Sequence, residues 1–111
     1  MPSNEQQQRA LRLLGLAARA GRVISGVPLI CTALQKNAAG KKVLLVLSAS
    51  DASDNTKKRI ADRTAYYGVR HIPLSVDCAT LAHTVGKRDG AVAAVGITEP
   101  GLATAIDELY E

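Results

Sequence analysis

Hydrophobic and polar residues change their period along this chain, and the changes mark out nine segments. From the residues just after Ser3 to Ala20 the pattern is helical, with Ala10, Leu13, Leu14 and Ala17 on one side. Ser3, Asn4 and Glu5 supply helix-start chemistry, with Gln6 three residues after Ser3. Gly15, Ala17 and Ala18 keep this helix thin, so a neighbour can pack close, and Gly21 is placed to end it in a left-handed conformation. A short extended piece follows at 22–25, and Gly26 turns the chain. Pro28 suits the first turn of a second helix, where its missing N–H costs little, and that helix runs to about Asn37.

Residues 42–48 read KVLLVLS, a continuous apolar run that predicts an interior strand covered on both faces. The stretch ASDASDN at 49–55 is a loop ending in a helix cap, and the third helix runs on to about Tyr67 and stops at Gly68. Another strand is expected at 69–74, placed at an edge by Pro73, which cannot donate to a ladder. A short helix at 77–85, a very apolar strand at 91–97 and a last helix opened by Pro100 complete the order. Helices alternating with apolar strands predict a three-layer α/β/α sandwich, a single domain over residues 1–111.

Composition changes this picture in two ways. The chain has no Phe, no Trp and three Tyr, so the core must be built from Leu, Ile, Val and Ala, and close backbone approach is the natural way to fill it. The net charge of +4 is unevenly spread. Residues 1–50 carry seven cations against the single acid Glu5, whereas residues 51–111 carry seven against nine acids. A one-sided basic half favours a polyanion partner and also serves solubility. No apolar run approaches the roughly 20 residues that span a bilayer, and the first eight residues lack the order of a signal peptide. The expectation is a cytoplasmic protein with no membrane partner.

Enzyme signatures are absent. There is no phosphate loop with a Lys, no dinucleotide fingerprint, and no sequence context that ties His71 or His83 to Ser48, Ser50 or Ser53. Asp51 and Asp54 read as acids of a helix-start loop, capping free N–H groups, rather than as a catalytic pair. Cys31 and Cys78 read as small apolar residues, and with His71 and His83 they complete no metal-ligand spacing. Neither a cofactor nor a metal is expected.

Basic residues carry more information. Arg9, Arg12 and Arg19 form a stripe on the first helix, interrupted by Leu16. Lys57, Lys58 and Arg59 stand near the start of the third helix, where cations oppose the dipole unless acids or a bound phosphate offset them. Residues 86–90, Gly-Lys-Arg-Asp-Gly, form a charged loop between two glycines. Each feature reads equally as solvated surface. Together, the Gly26 turn, the 49–55 loop and the 86–90 loop would make a concave RNA site if the fold gathers them at one end.

Four stretches resemble a known family: LLGLAARAGRVISG (13–26), KVLLVLSASDASDNTKKRI (42–60), YYGV (66–69) and AHTVGKRDGAVAAVGITEPGLATAI (82–106). As a set they resemble the bacterial YlxQ branch of the ribosomal protein "L seven Ae" superfamily, in order and over nearly the whole chain. The resemblance implies a four-stranded mixed sheet and non-enzymatic binding of structured RNA, typically kink-turns or ribosomal RNA, with ribosome-associated proteins as further partners. By that resemblance the RNA-contacting residues fall at Gly26, Val27, Pro28 and Thr32, at Ser50 and Asp51, and at Lys87, Arg88, Asp89 and Gly90, and the basic pattern adds Lys36 and Lys57.

One motif departs from the family. Its RNA-reading members carry Gly-x-Asn-Glu-x-x-Lys at the second helix, and those positions are Pro28, Leu29 and Thr32 here. A carboxylate can accept from guanine N–H groups and a Lys can donate to guanine O6 and N7, but Pro and Leu can do neither. The expectation is retained phosphate contact with weakened base reading. The alternative is a protein-interaction module on the same scaffold, using the apolar patch at 27–30.

Overall fold

A computed structural model describes residues 4–36, 42–87 and 91–110. Its elements run α1 (Asn4–Arg19), β1 (Val23–Ser25), α2 (Val27–Lys36), β2 (Leu45–Ser48), α3 (Asp54–Tyr66), β3 (Arg70–Pro73), α4 (Cys78–Thr84), β4 (Ala94–Ile97) and α5 (Pro100–Leu109). All nine segments read from the hydrophobic pattern are present in order. The strands are shorter than the apolar runs that announced them. Val43 and Leu44 lie before β2, and Val92 before β4, buried or half-buried although unpaired as strand. The helix start at Ser3 and the chain from Asn37 to Lys41 lie outside the described residues.

The sheet order is β1-β4-β2-β3. β4 runs antiparallel to both β1 and β2, while β2 and β3 are parallel, so the sheet is mixed. The continuous apolar runs occupy the two central strands, both fully buried. Pro73 sits on the edge strand β3, where its missing N–H breaks no interior ladder.

Helices cover both faces of this sheet. Ala10, Leu14 and Ala17 of α1 join Leu81 and Ala82 of α4 and Ala103 and Ile106 of α5 against Leu45, Leu47, Val95 and Ile97. On the opposite face Ile30 and Leu34 of α2 and Ile60 of α3 pack on Val43, Val46 and Ala94. Burying one such aliphatic side chain contributes about 1.5–3 kcal/mol, so an aromatic-free core suffices when the layers sit close. Close approach is visible at two places. A Cβ built on Gly96 would stand 3.1 Å from Val43 Cγ1, and one on Gly15 would stand 3.8 Å from the Thr84 carbonyl oxygen.

Helix ends follow their local chemistry. α1 closes on Gly21 at φ +70, whose N–H donates to Ala18 O while that of Arg22 donates to Ala17 O. Ser53 Oγ accepts from Thr56 N–H at the start of α3, and Asp77 Oδ1 accepts from Thr80 N–H at the start of α4. No described helix is long and apolar enough to cross a membrane.

Candidate nucleic-acid interface

The strand directions decide which loops meet. β1, β2 and β3 end where β4 begins, so their connections leave the sheet at one end. Gly26 N–H donates to Ala94 O at 3.0 Å, and Ala49 N–H donates to Ala93 O at 2.8 Å. Ser50 donates twice to Val76 O, from its N–H at 2.7 Å and its Oγ at 3.1 Å. The Gly26 turn, the loop after β2 and the segment leading into β4 are therefore stitched together by backbone hydrogen bonds.

Gly26 holds φ +96, a conformation an L side chain adopts only with strain, and its carbonyl accepts from Ile30 N–H as α2 begins. Val27 is half-buried, Pro28 is exposed and Leu29 is 60% exposed, while Ile30 is fully buried. The apolar patch expected at 27–30 is thereby corrected to Pro28 and Leu29. Residue 30 points into the core because helical spacing puts it on the face that α2 lays on the sheet. Thr32 Oγ1 donates back to Pro28 O at 3.0 Å. Leu29, Thr32, Ala33 and Lys36 of α2 line a groove of about 600 Å³ along the free edge of β1, with Lys87 from beyond α4 on its rim.

Asp51 does something the sequence reading did not assign to it. Its Oδ1 accepts from Cys78 N–H at 2.7 Å, so it caps α4 rather than the nearer α3, whose cap is Ser53. The cause is tertiary, because the loop after β2 runs past the start of α4. Hydrogen bonds from the Cys78 thiol and backbone N–H, and then the nearby charge of Lys57, hold the Asp51 carboxyl below its usual range. Asp77, the local cap, is lowered in the same way by Thr80. Partial burial and the Asp51 carboxylate push the Cys78 thiol up to about 11, which leaves it a poor nucleophile.

Ser48 and His71 also correct an expectation, since no serine was tied to a histidine by sequence context. Ser48 Oγ and His71 Nε2 share a hydrogen bond of 2.8 Å across β2 and β3. The pairing depends on a strand register that a sequence separation of 23 conceals. Ser48 is buried, and burial lowers the His71 pKa below its ordinary value. This hydroxyl therefore ties two strands rather than facing a substrate. Among the described residues, no three His, Cys, Asp or Glu side chains come together as a metal site.

Of the residues singled out from sequence, the fold brings Gly26, Ser50 and Asp51 to one end of the sheet, with Thr32, Lys36 and Lys87 along one groove. Lys57 stands on the first turn of α3 beside Asp51. Arg88, Asp89 and Gly90 lie outside the described residues.

No protein-family model matches the chain. It is 35% identical over 105 residues to the RNA-binding protein YlxQ of Enterococcus faecium, covering 95% of this chain and 94% of that one. The chain belongs to the YlxQ family. A second relative, the RNA-binding protein YlxQ of Bacillus subtilis strain 168, is 38% identical over 99 residues, covering 89% of this chain and 92% of that one. The YlxQ resemblance carried by the motifs at 13–26, 42–60, 66–69 and 82–106 thus holds over most of the chain. Among solved structures, a protein of unknown function from Bacillus halodurans C superposes with a TM-score of 0.78 at 29% identity, covering 90% of this chain and 94% of that one. The Giardia lamblia 15.5 kD RNA-binding protein superposes at 0.77 over 96% of this chain and 86% of that one. At 16% identity this likeness shows the fold alone.

Proposed function

We propose that this YlxQ-family protein is a non-catalytic binder of structured RNA, and that it holds the RNA at the loop end of its sheet. The observation that carries the reading is the convergence of the Gly26 turn, the Ser50-Asp51 loop and the chain entering β4, tied by the hydrogen bonds of Gly26 and Ala49 to Ala94 and Ala93. Exposed Lys36 and Lys87 line the groove that Ser25 and Leu29 also line beside the Gly26 turn, and both curated relatives are named RNA-binding proteins. Cations of this kind contact phosphates, which position a protein on RNA without reading its sequence.

Base reading is the weaker part of the interaction. Pro28 and Leu29 offer no side-chain hydrogen bond, and the Thr32 hydroxyl donates to the Pro28 carbonyl. Kink-turn RNA is accordingly bound through its sharply bent shape more than through its guanines. NMR titration with a kink-turn RNA tests the assignment. The amides of Gly26, Ser50 and Lys87 are expected to shift together while those of α5 stay still. Shifts confined to α5 or α1 would contradict it.

Leu29 favours a second reading, a protein-interaction surface, because a side chain 60% exposed beside an apolar groove is an attachment point. Loss of partner-protein capture in Leu29→Glu, with RNA binding intact, would establish that role.

A further inference from the structure

The outer face of α3 lies on the far side of that helix from the core, outside the loop end, and is chemically unlike an ordinary solvated helix. Asn55, Lys58, Arg59, Asp62, Arg63 and Tyr66 fall on one stripe and line a shallow depression of about 500 Å³. Three of the six are cations and one is an acid. Among the described residues the ion pairs within 4 Å are Arg9–Glu5 and Arg70–Asp107, so the three α3 cations are not neutralised by a carboxylate contact. Arg59 and Arg63 are four residues apart, a spacing at which like charges repel on a helix. Asp62, three residues after Arg59 and four after Lys58, offsets part of that repulsion, and an external anion would offset the rest.

Tyr66 supplies the second observation. Its side chain is 79% exposed, the most exposed large hydrophobic residue among those described. It is nevertheless braced, because its ring meets that of Tyr67 edge-on, with centroids 4.8 Å apart and planes at 82°. Tyr67 packs in turn against the core beneath α2 and α3. A fixed, open aromatic ring at the end of a cationic track is the arrangement that binds single-stranded nucleic acid, with phosphates on the cations and a base stacked on the ring. Duplex cannot use it, because its bases are already stacked on one another. The stripe from Asn55 to Tyr66 is roughly 16 Å long at about 1.5 Å per residue, room for a few nucleotides. Its Asn55 end lies at the start of α3, where the loop end begins.

We infer that the α3 face, through Lys58, Arg59, Arg63 and Tyr66, is a second RNA-binding surface that takes a single-stranded segment, separate from the loop-end site for structured RNA. An RNA with a folded element and an unpaired extension would engage both surfaces.

The chain contains no Trp, so Tyr66→Trp places a single fluorescent reporter on this surface. Titration with an eight-nucleotide uridine RNA is expected to quench that Trp, while a blunt RNA duplex of equal length leaves it bright. In anisotropy measurements with the same labelled oligonucleotide, Tyr66→Ala should weaken binding about tenfold and Tyr66→Phe should retain it, since stacking needs the ring and not the hydroxyl. Arg59→Glu with Arg63→Glu should abolish binding. Lys36→Ala with Lys87→Ala should leave oligonucleotide binding within about twofold of the unmodified protein, which separates this surface from the loop end. A Trp that does not respond, a Tyr66→Ala protein of unchanged affinity, or equal quenching by polyglutamate would each overturn the inference, the last by showing an acidic-protein surface instead.

Discussion

The two faces of the sheet are filled unequally. Among the described residues, sixteen buried ones form one cluster beneath α1, α4 and α5, and six form another beneath α2 and α3. The cations lean the other way. Lys36, Lys57, Lys58, Arg59 and Arg63 belong to the two helices over the smaller cluster, against Arg9, Arg12 and Arg19 on α1, and α2 also carries the exposed Pro28, Leu29 and Thr32. One face thus carries most of the apolar burial, and the other carries the surface that differs from its surroundings in charge. Separation of this kind lets α2 and α3 change their outer residues with little consequence for folding.

That division can be broken most directly from inside the larger cluster. Leu14 is fully buried among α1, α5 and the sheet, so Leu14→Ala should lower folding stability by about 2–5 kcal/mol in urea denaturation. Leu29→Ala, on the outside of α2, should change it by less than about 0.5 kcal/mol. Equal losses would mean that the two faces are not divided as described. On the smaller face, Gly96→Ala should cost about 1–3 kcal/mol, because its new methyl would meet Val43 Cγ1 at 3.1 Å and Ile30 Cγ1 at 3.7 Å. A neutral result would show that α2 can move away from the sheet.

Binding should respond where stability does not. Pro28→Asn with Leu29→Glu and Thr32→Lys restores the family's reading residues on a helix start already set by Gly26. Each good base contact is worth about 1–3 kcal/mol, so affinity for a kink-turn over a duplex control should rise tenfold or more. If the folded triple variant gains nothing, the α2 face does not meet RNA bases. The smallest effect concerns His71. Its folded pKa lies below the ordinary 6.5, so the unfolded chain binds more protons and stability falls as pH drops through 6.5 toward the folded value. A His71 ring titrating above 6.5 by NMR would contradict the burial that ties it to Ser48.

Element order and the edge position of Pro73 were legible because each rests on local chemistry: apolar period, helix-stop glycines, a missing N–H. The convergence of loops was expected only conditionally, since it follows from strand order and direction. What stayed hidden were contacts set by register. Asp51 reads as an acid near α3 until the fold carries it to Cys78, and Ser48 finds His71 only once β2 and β3 are aligned. Ile30 looked like part of an exposed patch because a run of four apolar residues does not say which of them faces inward. The α3 stripe, by contrast, was readable from helical spacing, Arg59, Arg63 and Tyr66 recurring at four and three residues.

The central claim is that RNA is held at the loop end mainly by phosphate contacts. It is tested most directly by measuring affinity for a folded RNA without single-stranded extensions across a series of salt concentrations. With about 4 to 6 contacts, log affinity should fall with log salt at a slope of roughly −4 to −5, and Lys36→Ala with Lys87→Ala should flatten it by about 2. An affinity independent of salt, or a slope that the two substitutions leave unchanged, would contradict it.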